Sequence, residues 1–272
     1  MSDTDRGQVS ASAAEVYDAF FVPALFEQWT EVVLDVADVR PGHRVLDVGC
    51  GTGVLARAAH AHVGAHGRVA GLDPNHGMLT VARRAEPDIE WQPGPAEQLP
   101  YPDHSFDRTV SQFALMFFTD PKRALTEMSR VTRPDGRVTF AVWDRLDNNG
   151  GYARLGDLVD DLFGSDAADA IRVPFQMGDP DTLAGLATSG LSDPAVTRHP
   201  GVARFESLHA WLHTEIRGWT LADTIDDQGF ATLLDAAQQQ LSDLVVDGQV
   251  AFDVSALIVN GSTAHAGRRG DI

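Results

Sequence analysis

The sequence predicts an α/β fold, a doubly wound and mostly parallel sheet with an antiparallel edge, on three observations. Short runs rich in valine and phenylalanine alternate with segments of helical period, as in a parallel sheet with crossover helices. One of those runs passes straight into a glycine-rich turn that opens a helix, and two late runs are placed to close the sheet as its antiparallel edge. The 272 residues, 43% hydrophobic and 22% charged, fit one large domain or a domain with an insertion, and exclude a disordered or fibrous chain.

The elements follow in order. Ser12-Ala13-Ala14-Glu15 reads as a capping box, after which Val16, Tyr17, Phe20 and Phe21 share one helical face. Pro23 is expected to interrupt that helix, and a second one from about Ala24 to Val39 stops before Pro41-Gly42. Strands are expected at Arg44 to Val48, Arg68 to Leu72, Ile89 to Gln92, Phe106 to Gln112 and Gly136 to Trp143, with helices at about Val54 to His62, His76 to Arg84 and Pro121 to Val131 between them. Arg133-Pro134-Asp135-Gly136 reads as a turn feeding the fifth strand.

After Asp144 the texture changes. Residues 144 to 200 hold ten Asp and four Arg and resemble an inserted cap, with a helix at Tyr152 to Phe163, a loop, and a helix at Pro180 to Ser189. Helices near Ser207 to Thr214 and Gln228 to Leu244 follow, and closing strands are expected near Pro194 to Thr197 and at Val250 to Asn260. The polar ends carry no readable chemistry, and no internal repeat is visible.

A net charge of −18 repels phosphate backbones and anionic lipid heads, so neither a nucleic acid nor a membrane surface is an expected partner. One cysteine excludes an intramolecular disulfide, and no stretch approaches the roughly 20 apolar residues that cross a bilayer. Met1 to Gln8 lacks the apolar core of a secretory signal, so the expected location is cytoplasmic.

Val45-Leu46-Asp47-Val48-Gly49-Cys50-Gly51-Thr52-Gly53 is the most informative stretch: an apolar strand meets three alternating glycines and then a helix. Glycine is required where a side chain would clash with a ligand or forbid positive φ, and the helix beyond aims free N–H groups at that ligand. A dinucleotide fingerprint needs a third glycine at position 54, where Val54 stands, which argues against a nicotinamide oxidoreductase. Asp73, twenty residues past Gly53, ends the second strand and can accept both hydroxyls of a ribose, or can simply cap the helix holding Met78 and Leu79.

Asp47-Val48-Gly49-Cys50-Gly51-Thr52-Gly53, Leu72-Asp73, Ala96-Glu97-Gln98-Leu99-Pro100-Tyr101, Ser105-Phe106-Asp107 and Arg133-Pro134-Asp135-Gly136-Arg137 together resemble the ordered motifs of class I S-adenosylmethionine-dependent methyltransferases, in the branch similar to ubiquinone and menaquinone methyltransferases. The resemblance covers about residues 40 to 144. It implies a Rossmann-like seven-stranded sheet and S-adenosylmethionine as cofactor, with Gly49 and Gly51 at its methionine part, Asp73 at the ribose, Met78 on the adenine face and Ala96 with Glu97 at the adenine edge. Pro95 stands where the family carries an acidic residue. The resemblance places Gln112 near the methionine end and Phe113 or Met116 near the sulfonium, the last two reading alternatively as core side chains. The implied division is an N-terminal helical lid at 1–40, a cofactor-binding core at 41–144, and cap helices with closing strands of the same domain at 145–265.

Methyl transfer is an in-line displacement that asks the protein for alignment, water exclusion and at most a proton acceptor. No catalytic residue is assigned. His60, His62 and His66 read as a solvated surface without a metal, His209 and His213 as rim residues sharing a helical face, and Cys50 as a buried filler. Tyr17 and Trp29 of the lid, with Trp143, Phe175 and Trp219, are expected to line an aromatic cavity suited to an apolar small molecule. The expected function is methyl transfer to oxygen, carbon or nitrogen of a small-molecule acceptor, in secondary metabolism. The alternatives are a cofactor-binding protein of the same fold with another activity and, less favoured, a nicotinamide oxidoreductase.

Overall fold

The apolar runs of the first half form the parallel part of one sheet. The computed structural model describes residues 11–217, 221 and 224–263. In it β1 (Arg44–Val48), β2 (Arg68–Asp73), β3 (Glu90–Pro93), β4 (Phe106–Gln112) and β5 (Thr132–Trp143) lie parallel, and β6 (Leu191–Phe205), β7 (Val245–Val246) and β8 (Gln249–Thr263) complete the sheet in antiparallel pairings. The strand order is β3-β2-β1-β4-β5-β8-β6, with β7 paired to β8. Chain direction across the sheet reverses between β1 and β4, and in open α/β sheets the crevice beyond the carboxyl ends at such a point is where ligands bind.

Both faces of the sheet are covered, so the strands bury apolar side chains on either side. Val45, Val69, Val110 and Ala141 pack to one face together with Leu55, while Leu46, Leu72, Val138 and Phe140 pack to the other against Leu125 and Met128. The crossovers are α3 (Val54–Val63), α4 (His76–Ala85) and α5 (Pro121–Val131). Asn75 caps α4 by accepting from the N–H groups of Gly77 and Met78, and Asp120 caps α5 ahead of Pro121, whose missing N–H is no loss in a first turn.

Four expectations are corrected. Pro23 does not break the N-terminal helix: α1 (Ala11–Val16) runs on through Tyr17–Phe26 in wide π turns, closed by the Glu27 N–H on the Val22 carbonyl, and this looser ladder tolerates the proline ring. The second helix, α2, is short (Thr30–Val36). The predicted turn at 133–136 lies inside β5 as an irregularity between the pairs Phe106–Thr132 and Arg108–Arg137, where a side chain on Gly136 would meet the Asp107 carbonyl at 2.7 Å. In the cap, α6 (Gly150–Phe163) and α8 (Pro180–Ala187) are joined by a further helix, α7 (Ser165–Arg172), in place of the expected loop.

The edge is also longer than predicted, since β6 pairs with β8 from Leu191 to Phe205. Helices α9 (Leu208–Arg217) and α10 (Asp227–Gln240) lie between these two strands in sequence. At the root of the cap the side chain of Asp144 has no solvent exposure; it accepts from Arg198 Nε at 2.6 Å, Ser255 Oγ at 2.8 Å and Asn148 Nδ2 at 2.9 Å, tying β5 to β6 and β8.

Candidate active site

The carboxyl ends of β1, β2 and β4 open onto a cleft of about 900 Å³, part of it continuous with solvent. The turn after β1 forms one wall. Its glycines have φ of +71° (Gly49), +54° (Gly51) and +87° (Gly53), values an L side chain resists. Their surroundings differ: a Cβ on Gly49 would sit 2.4 Å from Ala114 Cβ and one on Gly53 2.4 Å from the Trp91 ring, whereas one on Gly51 would meet no protein atom within 4 Å. Gly51 therefore faces the open cleft, and the other two let the turn pack against its own neighbours.

Asp73 holds this turn in place. Its Oδ2 accepts from the Gly51 N–H at 2.9 Å and its Oδ1 from the Asn75 N–H at 2.8 Å, so the helix cap is Asn75 and the Asp73 carboxylate joins the glycine turn to the start of α4. Burial pushes its pKa up, and these two backbone donors pull it back.

Asp47 faces the same cleft from β1 with 1% exposure, and neither of its oxygens has a hydrogen-bond partner. Desolvation, and then the charge of Asp73, push its pKa up to about 8, with the backbone of Ala56 offsetting part of this. A buried carboxylate whose nearest donor, the Ala56 N–H, falls short of hydrogen-bond geometry is an acceptor open to a cationic group in the cleft. Sequence reasoning passed over Asp47, although an acidic residue within a strand buried on both faces was itself a signal.

Met78, buried at 7% exposure, lines the cleft from α4, where Ala14 and Tyr17 of the N-terminal helix pack on it. Gln112 lines it from the end of β4; its Nε2 donates to the Phe26 carbonyl at 3.2 Å, while its buried Oε1 has no partner. Gly49, Gly51, Asp73, Met78 and Gln112 are thus brought together around one space. Ala96 and Glu97 are not among the residues lining it: Ala96 is buried with Leu46 and Leu72, and the Glu97 carboxylate accepts the Asp120 N–H at 3.0 Å, ahead of α5.

A second, aromatic chamber of about 520 Å³ adjoins the cleft, and the two share Tyr17, Phe26, Phe113 and Phe117. Tyr17, Trp143 and Phe175 line it as expected; Trp29 does not, being 1% exposed and packed edge-on against Phe113 and Trp143, and Trp219 lies outside the described residues. Phe113, read from the sequence as core or as a neighbour of the sulfonium, lines both spaces. It takes φ +53° immediately after β4 and stacks on Trp143 at 3.9 Å, an unusual backbone conformation that sets the ring at the junction.

The histidines are elsewhere. His62 pairs with Glu31 at 2.8 Å and His60 with Glu86 at 3.8 Å, while His209 and His213 stack at 5.9 Å beside Phe230. Among the described residues no cluster of three His, Cys, Asp or Glu side chains is placed to hold a metal ion. Burial raises the Cys50 thiol well above its usual range, which leaves it a poor nucleophile.

Residues 46–140 match the methyltransferase-domain family. Over 114 residues the chain is 42% identical to a demethylmenaquinone methyltransferase of Renibacterium salmoninarum, covering 42% of this chain and 47% of that protein. Over 140 residues it is 36% identical to a ubiquinone/menaquinone biosynthesis C-methyltransferase of Bordetella avium, covering 50% and 55% respectively. The chain thus spans about half the length of the curated relatives it matches.

Among solved structures, the YcgJ protein of Bacillus subtilis aligns with a TM-score of 0.58 at 23% identity over 88% of this chain and 99% of that one. A phosphoethanolamine N-methyltransferase of Haemonchus contortus aligns with a TM-score of 0.59 at 16% identity over 96% and 59%. At these identities the two show a common fold. Residues 46–140 thus carry a methyltransferase domain, and over that part of the chain the sequence is similar to demethylmenaquinone and ubiquinone/menaquinone methyltransferases.

Proposed function

We propose that the protein transfers a methyl group from S-adenosylmethionine to a small-molecule acceptor, at oxygen, carbon or nitrogen. The observation that carries this reading is the cleft itself, where the unpartnered buried carboxylate of Asp47 faces the open side of Gly51. A sulfonium amino acid brings positive charge to such a place, and its nucleoside brings hydroxyls to Asp73, whose oxygens each retain a lone pair beyond the backbone bonds. When bound, the cofactor supplies an electrophilic methyl carbon on sulfur.

The chain's own residues do the rest. Asp47 and the Gln112 Oε1 accept from an ammonium group, Asp73 holds the ribose, and Met78 lies against the adenine under the N-terminal helix. Ala96 and Glu97 bound the adenine edge only if the loop between β3 and β4 shifts toward the cleft, because their present contacts lie outside it. Helix α1 and the π turns after it act as the lid, residues 41–144 as the cofactor-binding core, and residues 145–265 as cap and closing strands of the same domain. The net charge of −18 supports a small molecule over a nucleic acid as acceptor, in a cytoplasmic setting. The names of the relatives make ring carbon of a quinone precursor one acceptor to test, beside those of secondary metabolism.

Calorimetry with S-adenosylmethionine, S-adenosylhomocysteine and NAD tests the binding half. Affinity for NAD alone would end the reading. Incubation with labelled cofactor and an acceptor panel tests the transfer half: label moves to acceptor and S-adenosylhomocysteine is released. Binding without release across a broad panel would favour a cofactor-binding protein of the same fold.

A further inference from the structure

We propose that the aromatic chamber beside the cleft is the acceptor site, and that it takes a neutral, hydroxyl-bearing aromatic ring whose hydroxyl proton passes to the Tyr152–Glu215 pair. The proposal rests on the methyltransferase reading, because only then must a second ligand meet the first across the wall that the two spaces share.

The chamber selects by shape and charge. Its roughly 520 Å³ of open space is partly continuous with solvent, and every described side chain lining it is aromatic, aliphatic or proline. Phe113 and Trp143 stack at 3.9 Å and 14°, giving the chamber a flat aromatic wall against which a planar ring can lie. An acceptor carrying a carboxylate or phosphate would lose its water there and find no cation in the lining.

Two of the lining residues, Tyr17 and Tyr152, carry a hydroxyl, and the Tyr152 hydroxyl is paired with a buried carboxylate. Tyr152 of α6 contributes its ring to the lining, and its hydroxyl donates to Glu215 Oε1 at 2.8 Å; Trp211 Nε1 donates to the same oxygen at 3.3 Å. Glu215 comes from α9, is buried at 8% exposure and forms no salt bridge among the described residues. A glutamine would satisfy both donors without bringing a charge into this apolar cluster of Tyr152, Trp211 and Phe252, so a purely structural role does not account for the carboxylate.

Two donors act on Glu215, Tyr152 from α6 and Trp211 from its own helix, and among the described residues no charged side chain does. Burial pushes its pKa up to about 7, so the ionised and protonated forms are both accessible near neutral pH, as a proton acceptor requires. The proton inventory closes. The acceptor hydroxyl gives its proton to Tyr152 Oη as Tyr152 gives its own to Glu215 Oε1, leaving an electron-rich phenolate. That electron pair bonds to the methyl carbon while the carbon–sulfur pair remains on sulfur. Tyr152 is then a catalytic residue and Glu215 a positioning residue that acts through it.

The test uses the full chain saturated with S-adenosylhomocysteine and three probes, 1-naphthol, naphthalene and 1-naphthoate, read by calorimetry. Naphthol is expected to bind about tenfold more tightly than naphthalene, and naphthoate not at all. Naphthol affinity should rise severalfold as pH increases through about 7, because the ionised carboxylate holds the tyrosine proton and leaves the Tyr152 oxygen free to accept. Glu215→Gln should flatten that rise, and Tyr152→Phe should reduce naphthol to the level of naphthalene. Ile171→Trp, which fills the chamber from α7, should abolish naphthol binding and leave S-adenosylhomocysteine affinity unchanged.

Naphthoate binding as tight as naphthol, a pH-independent wild-type affinity, or naphthol binding that survives Ile171→Trp overturns the proposal. Should any variant fail to fold, the wild-type probe series and its pH profile decide alone. Failure of the wild-type chain to bind S-adenosylhomocysteine strikes the methyltransferase reading instead, so the two failures are separable.

Discussion

Substituting Gly51 by alanine separates the strain of the glycine turn from its contact with the ligand. At φ +54° an alanine pays the left-handed penalty of about 1–2 kcal/mol, which in a domain of this size lowers Tm by about 2–8 °C. Gly248, in the turn between β7 and β8, has φ +83° and likewise no protein atom within 4 Å of an added Cβ, so Gly248→Ala should show a similar Tm shift. The two variants part at the cofactor. On Gly51 the new methyl group enters the cleft, where overpacking of about 1–3 kcal/mol corresponds to roughly 5- to 150-fold weaker S-adenosylhomocysteine binding, while Gly248→Ala binds as the wild type does. Differential scanning fluorimetry and calorimetry on both variants measure the two quantities. Equal affinities in the two variants would refute the placement of the ligand against Gly51.

Three further outcomes are expected. Asp73→Ala removes charge-assisted acceptors from both ligand and glycine turn, and should weaken cofactor binding by about 1.5–3 kcal/mol in a protein that still folds, as calorimetry and circular dichroism can check. Asp47 has a folded-state pKa of about 8, above that of the unfolded chain, so its contribution to stability falls as pH rises from about 4 to about 8. Asp47→Asn should therefore raise the Tm of the cofactor-free protein, with a gap over wild type that widens from pH 5 to pH 8, while cofactor affinity drops; a gap independent of pH would contradict the assignment. Asp144→Ala, which strips a fully buried acceptor from Ser255, Asn148 and Arg198, should cost about 2–4 kcal/mol in urea unfolding, whereas Arg198→Ala, from a side chain that is 54% exposed, should cost less than about 1 kcal/mol.

The parallel half of the sheet was legible because short valine- and phenylalanine-bearing runs alternate with helical segments, and the predicted bounds of β1 and β4, Arg44 to Val48 and Phe106 to Gln112, are the observed ones. The edge was not. In β6 only one face is covered, and Ser192, Asp193, Arg198 and His199 with Pro194 and Pro200 hide a strand that an edge position can still form, since a proline there gives up few ladder bonds. Helix α7 was missed because its buried side is only Ala167, Ala168 and Ile171 in an acidic stretch. Within the site, the glycine turn announced itself through its φ requirement, and Asp73 through its distance from that turn. The chamber was assembled only in part, from Tyr17, Trp143 and Phe175, since Phe26, Phe113 and Tyr152 come from separate segments that only the topology brings beside them.

The two backbone bonds received by Asp73 have a consequence for the speed of ligand capture. They fix the glycine turn before anything arrives, so the ordering entropy of that segment has been spent during folding rather than at the moment of encounter. Association at the turn is then a docking onto a finished surface, with no rearrangement of the loop to slow it.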